Sequence, residues 1–286
     1  MLNRLPAWFR QRIPDSETFK LARLLDDSGI NTVCREAKCP NIAECFKDRH
    51  FTFMILGNAC TRRCRFCNVA SAAGKGMPLD PYEPQRIAEF VKKLGIKDAV
   101  ITSVTRDDLS DGGAGQFAKT IELIRKISKD IKIEVLIPDF KGAAGSLKCV
   151  VDAGCDILGH NIETSKRLYP LLRPQADYDL SLGVLKAAKK LGSRVRIKSS
   201  MMLGLGEKQD EVVAVLEDLK TAGCDILALG QYLAPSPLHY PVQEFVAKER
   251  FLEYELIAFS IGFGQVLSGP LVRSSYRKKE VSTCTI

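Results

Sequence analysis

From residue 51 onward, the sequence alternates short apolar, β-branched runs with segments whose apolar residues recur at helical spacing. This alternation is typical of βα units, which build a parallel sheet. Six runs are predicted strands: 51–57, 98–104, 131–140, 156–163, 194–203 and 224–233. Two sets of residues at i, i+3, i+4 and i+7 predict helix faces: Ile87, Phe90, Val91 and Leu94, then Val212, Val215, Leu216 and Leu219.

Glycines separate the predicted helices from the strands that follow them. The segment DAGCDIL at 152–158 recurs as TAGCDIL at 221–227, and in each copy a glycine ends a helix just before a strand. No G-x-G-x-x-G fingerprint follows an early strand, so a dinucleotide-binding sheet is not expected. We predict an α/β fold, a partial (β/α)6 barrel with chemistry at the carboxyl ends of its strands. Residues 1–50 form an N-terminal extension, 51–261 the barrel and 262–286 a C-terminal tail.

Composition narrows the class of protein further. The 286 residues are 45% hydrophobic and 27% charged, which excludes disordered and collagen-like chains. The longest uncharged stretch, 256–272, contains three glycines and a proline and is shorter than a membrane helix requires. No secretory signal is recognised, so a cytoplasmic location without a membrane partner is expected. The net charge of +8 suits an acidic partner, nucleic acid or ordinary solubility, and we expect no nucleic-acid partner.

Six of the ten cysteines lie between residues 34 and 67. In a reducing compartment, clustered cysteines bind metal more often than they form disulfides. The segment CTRRCRFC places Cys60, Cys64 and Cys67 at C-x3-C-x2-C, directly after the first predicted strand. Three thiolates on a 4Fe-4S cluster leave one iron open, whereas a closed zinc site needs four ligands. A zinc knuckle and three structural cysteines are the alternatives for this loop.

A second triplet precedes the barrel. The segment CREAKCPNIAEC places Cys34, Cys39 and Cys45 at C-x4-C-x5-C. A cluster on these three cysteines needs a fourth ligand from elsewhere or keeps an open iron of its own. The tail offers a candidate in RSSY at 273–276.

The C-x3-C-x2-C loop, with Phe66 before its last cysteine, resembles the radical S-adenosylmethionine (radical SAM) superfamily. That resemblance implies that the open iron chelates the amino and carboxylate groups of S-adenosylmethionine. One electron from the reduced cluster then yields a 5′-deoxyadenosyl radical. Together with the second triplet, three further segments make the chain similar to the lipoyl synthases from about residue 33 to 276: VTRDDLSDGG (104–113), GQYLAPSPLHYPV (230–242) and GPLVRSSY (269–276).

The resemblance to lipoyl synthases implies a sulfurtransferase reaction. Sulfur atoms are inserted at carbon 6 and carbon 8 of a protein-bound octanoyl-lysine, at the expense of two S-adenosylmethionines per product. The auxiliary 4Fe-4S cluster of the second triplet supplies the sulfur, and a serine of RSSY, Ser275 in preference to Ser274, is its fourth ligand. The implied partners are an octanoylated lipoyl domain of a 2-oxoacid dehydrogenase or the glycine-cleavage H-protein, an electron donor such as ferredoxin or flavodoxin, and an iron-sulfur cluster delivery protein.

Polar residues on the strands and at their carboxyl ends are candidate contacts for S-adenosylmethionine. Asn161 and Glu163 end the fourth predicted strand, Lys198 lies on the fifth, and Thr105 follows the second, as do Asp107 and Asp108. The alternative is that they are solvated residues of the barrel rim. Arg273 is expected either to stabilise a negative cluster or to hold substrate.

No catalytic residue is predicted beyond the cluster ligands, because unactivated C–H bonds offer nothing to a general acid or base. The three histidines are therefore expected to be structural: His50, His160 and His239. Four cysteines have no ligand spacing: Cys149, Cys155, Cys224 and Cys284. Of these, Cys155 and Cys224 begin predicted strands and suit the core.

Two other functions compete with this reading. A radical methylthiotransferase also pairs two cysteine triplets, but it resembles a longer arrangement with a domain ahead of the barrel and an RNA-binding module behind it. Only 33 residues precede Cys34 here. A non-catalytic iron-sulfur carrier is the other alternative, although a carrier has no need of six βα units around a cavity.

Overall fold

A computed structural model describes residues 5–9, 13–192, 194–276 and 282–283 of the chain. The helices are α1 (Ser16–Asp27), α2 (Val33–Glu36), α3 (Ile42–Lys47), α4 (Glu83–Leu94), α5 (Ala114–Ile127), α6 (Ala144–Asp152), α7 (Tyr169–Leu172), α8 (Tyr178–Leu191), α9 (Gln209–Thr221) and α10 (Lys248–Ile261). The strands are β1 (Thr52–Ile55), β2 (Ala59–Cys60), β3 (Ala70–Ser71), β4 (Asp98–Ser103), β5 (Lys132–Leu136), β6 (Ile157–Gly159), β7 (Arg196–Leu203), β8 (Ile226–Gln231), β9 (Gln265–Ser268) and β10 (Ser282–Thr283). Short 3₁₀ helices lie at Ala7–Phe9, Phe140–Gly142 and Lys166–Leu168.

In the described residues, the main sheet has the strand order β1-β4-β5-β6-β7-β8-β9-β10. All neighbours from β1 to β9 are parallel, and β10 is antiparallel to β9. The six predicted strands are confirmed as β1, β4, β5, β6, β7 and β8, and a helix of the outer layer follows each one. Because β1 does not pair with the other edge, the sheet stays open, as a partial (β/α)6 barrel requires.

A seventh parallel strand, β9, was not predicted and lies within the segment expected to be a tail. It has only four residues, of which Val266 and Leu267 are buried, so it lacks an apolar run that sequence patterns can detect. The strand begins shortly after Gly262 ends α10 in the left-handed conformation, with φ of 104°. The chain therefore pairs with β8 once more before it reaches RSSY.

The predicted helix faces are those that cover the sheet. On α4, Ile87, Phe90 and Val91 are buried, and Gly95 caps the helix in the left-handed conformation. All six residues of β8 are buried, as expected of a parallel strand with helices outside and a filled interior. No described helix is long and apolar enough to cross a membrane.

The N-terminal helices are anchored to β1 by aromatic residues. Phe51 contacts Phe46 of α3 and Phe90 of α4 edge to face, with ring centroids 4.9 and 5.9 Å apart. Such pairs contribute about 0.5–1.5 kcal/mol each beyond the burial of their area. Thr32, just before α2, also bridges to Phe53 of β1. These contacts hold the second cysteine triplet at the edge of the barrel.

Gly230 of β8 allows the C-terminal segment to approach the sheet closely. A Cβ atom at this position would lie 2.0 Å from the carbonyl oxygen of Val272. Because the obstructing atom belongs to the backbone, Gly230→Ala forces a displacement of the chain near Val272. We expect the free energy of unfolding to fall by about 1–3 kcal/mol in anaerobic denaturant titration.

Gly183→Ala is the matched control for Gly230→Ala. Gly183 lies inside α8, and no heavy atom stands within 4 Å of the position of its Cβ. Alanine is a better helix former, so the free energy of unfolding should rise by about 0.5–1 kcal/mol. Equal effects of the two substitutions would contradict the role given to Gly230.

Candidate functional site

The C-x3-C-x2-C loop is fastened to the carboxyl end of β4. Cys60 ends β2, and the next residue, Thr61, donates from its backbone N–H to the carbonyl oxygen of Thr105 at 3.0 Å. The Thr61 hydroxyl donates to the same carbonyl at 2.9 Å and accepts from the backbone N–H of Asp107 at 3.0 Å. These three bonds set the height of the loop above the strand ends.

Arg62 clamps the same loop to two neighbouring strand ends. Its guanidinium donates to the Asp107 carboxylate at 2.7 and 2.9 Å and to the Asp139 carboxylate at 2.5 and 2.7 Å. The Arg62 and Asp139 side chains are only 6% and 1% exposed. Although burial raises the pKa of the Asp139 carboxyl, the guanidinium outweighs it and holds that pKa below its usual value.

Cys60, Cys64 and Cys67 line a cavity of about 510 Å³ at the carboxyl ends of the strands. Burial raises the pKa of the Cys67 thiol to about 12. Burial also raises the pKa of Cys64, and the nearby guanidinium of Arg173 partly opposes that effect. These two thiols therefore become ligands only when a positive centre stabilises their thiolates, which the irons of a cluster would do. The donor set fits a 4Fe-4S cluster with one open iron.

The second triplet lies on the N-terminal helices, with Cys34 on α2, Cys45 on α3 and Cys39 in the turn between them. Cys34 and Cys39 line the 510 Å³ cavity, whereas Cys45 lines a neighbouring cavity of about 360 Å³. Burial raises the pKa of Cys34 to about 11 and, with the two other thiols of the triplet, raises that of Cys45 to about 12. Their chemistry also suits a cluster rather than free thiolates.

The three cysteine side chains of each triplet do not converge on a single metal position. In the described part of the chain, no three His, Cys, Asp or Glu side chains converge closely enough to hold one metal ion. A closed zinc site would place four ligands about 2.0–2.3 Å from one ion.

The RSSY segment lies against the second triplet. The Thr52 hydroxyl donates to the Ser275 hydroxyl oxygen at 2.8 Å, and Nε2 of His50 donates to the Ser275 carbonyl oxygen at 2.6 Å. Thr52 is also close enough to Cys34 to lower the pKa of its thiol against the effect of burial, so Ser275 and Cys34 share this neighbour. Ser274 and Ser275 both line the cavity. The assignment of Ser275 as a cluster ligand stays a prediction.

Two contacts hold the C-terminal segment in this position. The side-chain amide of Asn41 donates to the carbonyl oxygen of Leu271 at 2.7 Å. The Tyr276 hydroxyl donates to the Glu44 carboxylate at 3.3 Å. Asn41 lies two residues after Cys39, and Glu44 directly precedes Cys45. These two bonds therefore join the C-terminal segment to the second triplet.

Arg273 lines the cavity without a carboxylate partner in the described residues. Its guanidinium donates to the carbonyl oxygen of Val272 at 2.7 Å and is near that of Pro270 at 3.4 Å. Burial lowers its pKa, and the neighbouring Cys39 opposes that effect. The positive charge beside Cys39 suits an anionic group in the cavity.

Asn161 and Glu163 line the cavity, as does Thr105. The Asn161 amide donates to the Glu163 carboxylate at 3.1 Å, and burial raises the pKa of that carboxyl. Glu163 also has a positive φ of 69°, which is uncommon for a residue with a side chain. Three of the four predicted cofactor contacts are thus brought together.

Lys198 is not brought to this set. Its ammonium lies 2.6 Å from the Glu134 carboxylate, and both side chains are only 7% exposed. Lys198 and Ser200 share one face of β7, but only Ser200, two residues nearer the carboxyl end, lines the cavity. The structure places Lys198 one layer below the site, in an ion pair between β5 and β7.

Two cavity residues were missed by sequence reasoning. The Arg173 guanidinium donates to the Tyr169 hydroxyl at 2.7 Å, while its buried Nε has no partner among the described residues. His160 was expected to be structural, and its Nδ1–H does donate to the Ile137 carbonyl oxygen at 2.9 Å. With the proton on Nδ1, Nε2 is a buried acceptor that has no partner among the described residues. Burial lowers the pKa of the His160 ring to about 4. The position of His160 beside Asn161 was the available signal, whereas Arg173 had none.

The other candidates have structural partners. Arg106 pairs with Asp108 and lowers the pKa of that carboxyl to about 2. The His239 ring is 2.8 Å from the Ser236 hydroxyl. Cys155 and Cys224 are buried, as expected, and Cys149 is exposed. Cys284 lies outside the described residues.

Comparisons with known proteins agree with this geometry. The sequence profile of the radical SAM superfamily matches residues 54–219. A lipoyl synthase of Caldicellulosiruptor saccharolyticus is 50% identical over 99% of both chains, and one of Geotalea uraniireducens is 51% identical over 98% of both. The chain belongs to the lipoyl synthase family. Members of this family are sulfur-inserting radical SAM enzymes that use a 4Fe-4S cluster and S-adenosylmethionine, so this chain is an enzyme of that kind.

The fold is shared with more distant radical SAM enzymes. Coproporphyrinogen III oxidase of Escherichia coli superposes with a TM-score of 0.51 at 16% identity, covering 74% of this chain and 52% of that one. At this level of identity, the similarity shows that the two proteins share a fold.

The double variant Glu134→Met/Lys198→Met separates a structural ion pair from a cofactor contact. Lys198→Met alone leaves a buried carboxylate unpaired and should lower the free energy of unfolding by about 3–5 kcal/mol. Replacing both partners should recover most of that loss, measured by anaerobic denaturant titration. The folded double variant should bind S-adenosylmethionine like the parent protein. Weaker binding of S-adenosylmethionine by the double variant would indicate that Lys198 contacts the cofactor.

Proposed function

We propose that the cavity catalyses two sulfur insertions, at carbon 6 and carbon 8 of an octanoyl chain attached to a lysine of a carrier protein. The observation that carries the proposal is that cysteines from both triplets line the same cavity, with Ser275 beside the second triplet. A radical generated at one triplet and a sulfur source held by the other would then meet across one substrate chain.

Cys60, Cys64 and Cys67 would hold the radical SAM cluster, which with S-adenosylmethionine supplies hydrogen abstraction from an unactivated carbon. The Glu163 carboxylate suits hydroxyl donors such as those of a ribose. The free Nε of Arg173 suits the carboxylate of the methionyl group, because guanidinium groups bind carboxylates with matched geometry. Nε2 of His160 can accept a hydrogen bond from the same ligand but cannot act as an acid, since its ring stays neutral.

Cys34, Cys39, Cys45 and Ser275 would hold the second cluster. The Thr52 hydroxyl donates toward Ser275 and would stabilise a negative serine oxygen, a bond that Ser274 lacks among the described contacts. Arg273 adds a positive charge beside Cys39. These features support a thiolate-rich cluster at this end of the cavity, which we infer to be the sulfur donor.

The apolar side chains that line the cavity suit an acyl chain. Val104, Leu136, Ile137, Met202 and Leu233 all line the cavity. An apolar wall holds an octanoyl chain and excludes water, which would otherwise compete for reactive intermediates. The protein therefore positions the chain and shields it, while the cofactors carry the chemistry.

The partners follow from this reaction and are part of the proposal. The octanoyl chain would arrive on a lipoyl domain of a 2-oxoacid dehydrogenase or on the glycine-cleavage H-protein. A ferredoxin or flavodoxin would supply electrons, and a delivery protein would rebuild the second cluster. The cytoplasmic location predicted from the sequence suits these partners.

The decisive experiment uses protein reconstituted anaerobically with heavy sulfide. Incubation with an octanoylated lipoyl domain, S-adenosylmethionine and dithionite should yield a product carrying two heavy sulfur atoms by mass spectrometry. Unlabelled product would show that sulfur arrives by another route. Absence of any two-sulfur product, with methylthiolation of RNA or a ribosomal protein instead, would favour the methylthiotransferase.

The triple variant Cys34→Ala/Cys39→Ala/Cys45→Ala is the control for that experiment. It should retain about four of about eight irons, as expected if each triplet holds one 4Fe-4S cluster. It should still form 5′-deoxyadenosine but insert no sulfur. Loss of 5′-deoxyadenosine formation in this variant would show that the radical cluster had been assigned to the wrong triplet.

Ser275→Ala and Ser274→Ala form a matched pair for the fourth ligand. A hard oxygen ligand on a thiolate-bound cluster is the corner most easily released, and removing it should make the second cluster less stable. Ser275→Ala should therefore lose up to half of the iron on anaerobic dilution, measured by iron content, whereas Ser274→Ala should keep it. The reverse result would assign the ligand to Ser274.

A further inference from the structure

The outer side of the C-x3-C-x2-C loop is joined to two neighbouring loops. The backbone N–H of Arg65 donates to the Leu172 carbonyl oxygen at 2.9 Å, and the N–H of Tyr240 donates to the Arg65 carbonyl oxygen at 3.0 Å. The N–H of Arg63 donates to the Gln175 side chain at 2.7 Å. These bonds combine the three loops into one continuous surface.

Four exposed side chains belong to this surface, which we call the outer face: Arg63, Arg65, Leu171 and Leu238. Leu238 is 96% exposed and Leu171 is 40% exposed. Neither arginine takes part in a salt bridge among the described residues. The outer face therefore combines unneutralised positive charge with exposed apolar side chains.

The outer face lies directly behind a proposed cluster ligand. Cys64 stands between the two arginines in the chain and lines the cavity, whereas none of the four outer-face residues does. The outer face therefore adjoins a residue whose side chain would hold the cluster. A protein bound there could approach the cluster without obstructing the cavity that the octanoyl chain must enter.

Two neighbouring basic residues are already paired with carboxylates. Arg167, close to Tyr240, is paired with Glu211, and Lys166 is paired with Asp179. Each pair is neutral as a whole and therefore adds no net charge beside the two guanidiniums of the outer face. Exposed positive charge attracts an acidic protein and speeds its encounter.

We propose that the outer face is the docking surface for an acidic one-electron carrier protein of the flavodoxin type. Two leucines beside free arginines suit the small, transient contacts of electron-transfer partners. The flavin hydroquinone would lose one electron and become a semiquinone, and the radical cluster would gain that electron. The proposal rests on the cluster assignment made under the proposed function.

The test compares reconstituted parent protein with the charge-reversal variant Arg63→Glu/Arg65→Glu. Titration calorimetry with flavodoxin at low salt should show a dissociation constant weakened about tenfold or more. Added salt should weaken binding by the parent protein and have little effect on the variant. An unchanged dissociation constant would overturn the proposal, as would weaker binding of the octanoylated carrier in place of flavodoxin.

Lys119→Glu/Lys186→Glu is the matched control, since these exposed lysines lie on α5 and α8 and change the net charge equally. It should bind flavodoxin like the parent protein, and an equal loss would mean that net charge alone matters. If charge reversal lowers the iron content, Leu238→Asp decides instead, because it alters the outer face outside the cysteine loop. Leu238→Asp should weaken flavodoxin binding, and unaltered binding would overturn the proposal.

Reduction by dithionite, which needs no carrier protein, distinguishes a wrong cluster assignment from a wrong docking surface. If the parent protein forms no 5′-deoxyadenosine with dithionite, the cluster assignment is contradicted. The docking proposal for the outer face is then contradicted as well. Parent protein that forms 5′-deoxyadenosine, together with variants that bind flavodoxin normally, would contradict the outer face alone.

Discussion

The geometry of the cavity depends on the Arg62 guanidinium, held between the carboxylates of Asp107 and Asp139. Burying these charges is costly unless each is paired and hydrogen-bonded, and here one planar group satisfies two carboxylates at once. Because Arg62 stands between Cys60 and Cys64, the clamp fixes the cysteine loop on the ends of two neighbouring strands. Loss of the guanidinium would leave the buried Asp139 carboxylate without its cation and leave the loop held by the bonds of Thr61, Arg63 and Arg65.

Residues within 33–40 on the N-terminal side and residues 272–275 on the C-terminal side also line the cavity. Aromatic contacts of Phe46 and Phe90 with Phe51 anchor the N-terminal helices to β1, and Gly230 lets the C-terminal segment lie close to β8. Thr52 then contacts Ser275, 223 positions away in the chain. Cys34 and Cys39 of the second triplet therefore line the same cavity as the first triplet, together with Ser275 of the C-terminal segment.

Positive charge in the cavity favours the binding of anionic groups. Few side chains there could exchange protons near neutral pH. Burial raises the pKa of Cys67 and lowers that of His160, so both stay neutral near neutral pH in the absence of metal. Arg62 is neutralised by its aspartates, whereas among the described residues Arg273 donates to backbone carbonyls and forms no salt bridge. A site with this character suits thiolate-bound clusters and a ligand carboxylate better than acid-base catalysis.

Local patterns in the sequence determined the six βα units and the two cysteine triplets, because periodic burial and short ligand spacing are properties of neighbouring residues. They did not reveal β9, whose two buried residues make no detectable pattern, nor Arg173, which carries no local signal. Lys198 had the expected strand position, yet its partner Glu134 lies 64 residues away. Only strand order and register decide which distant side chains meet, and here they placed Lys198 beneath the site and Ser275 beside Cys34.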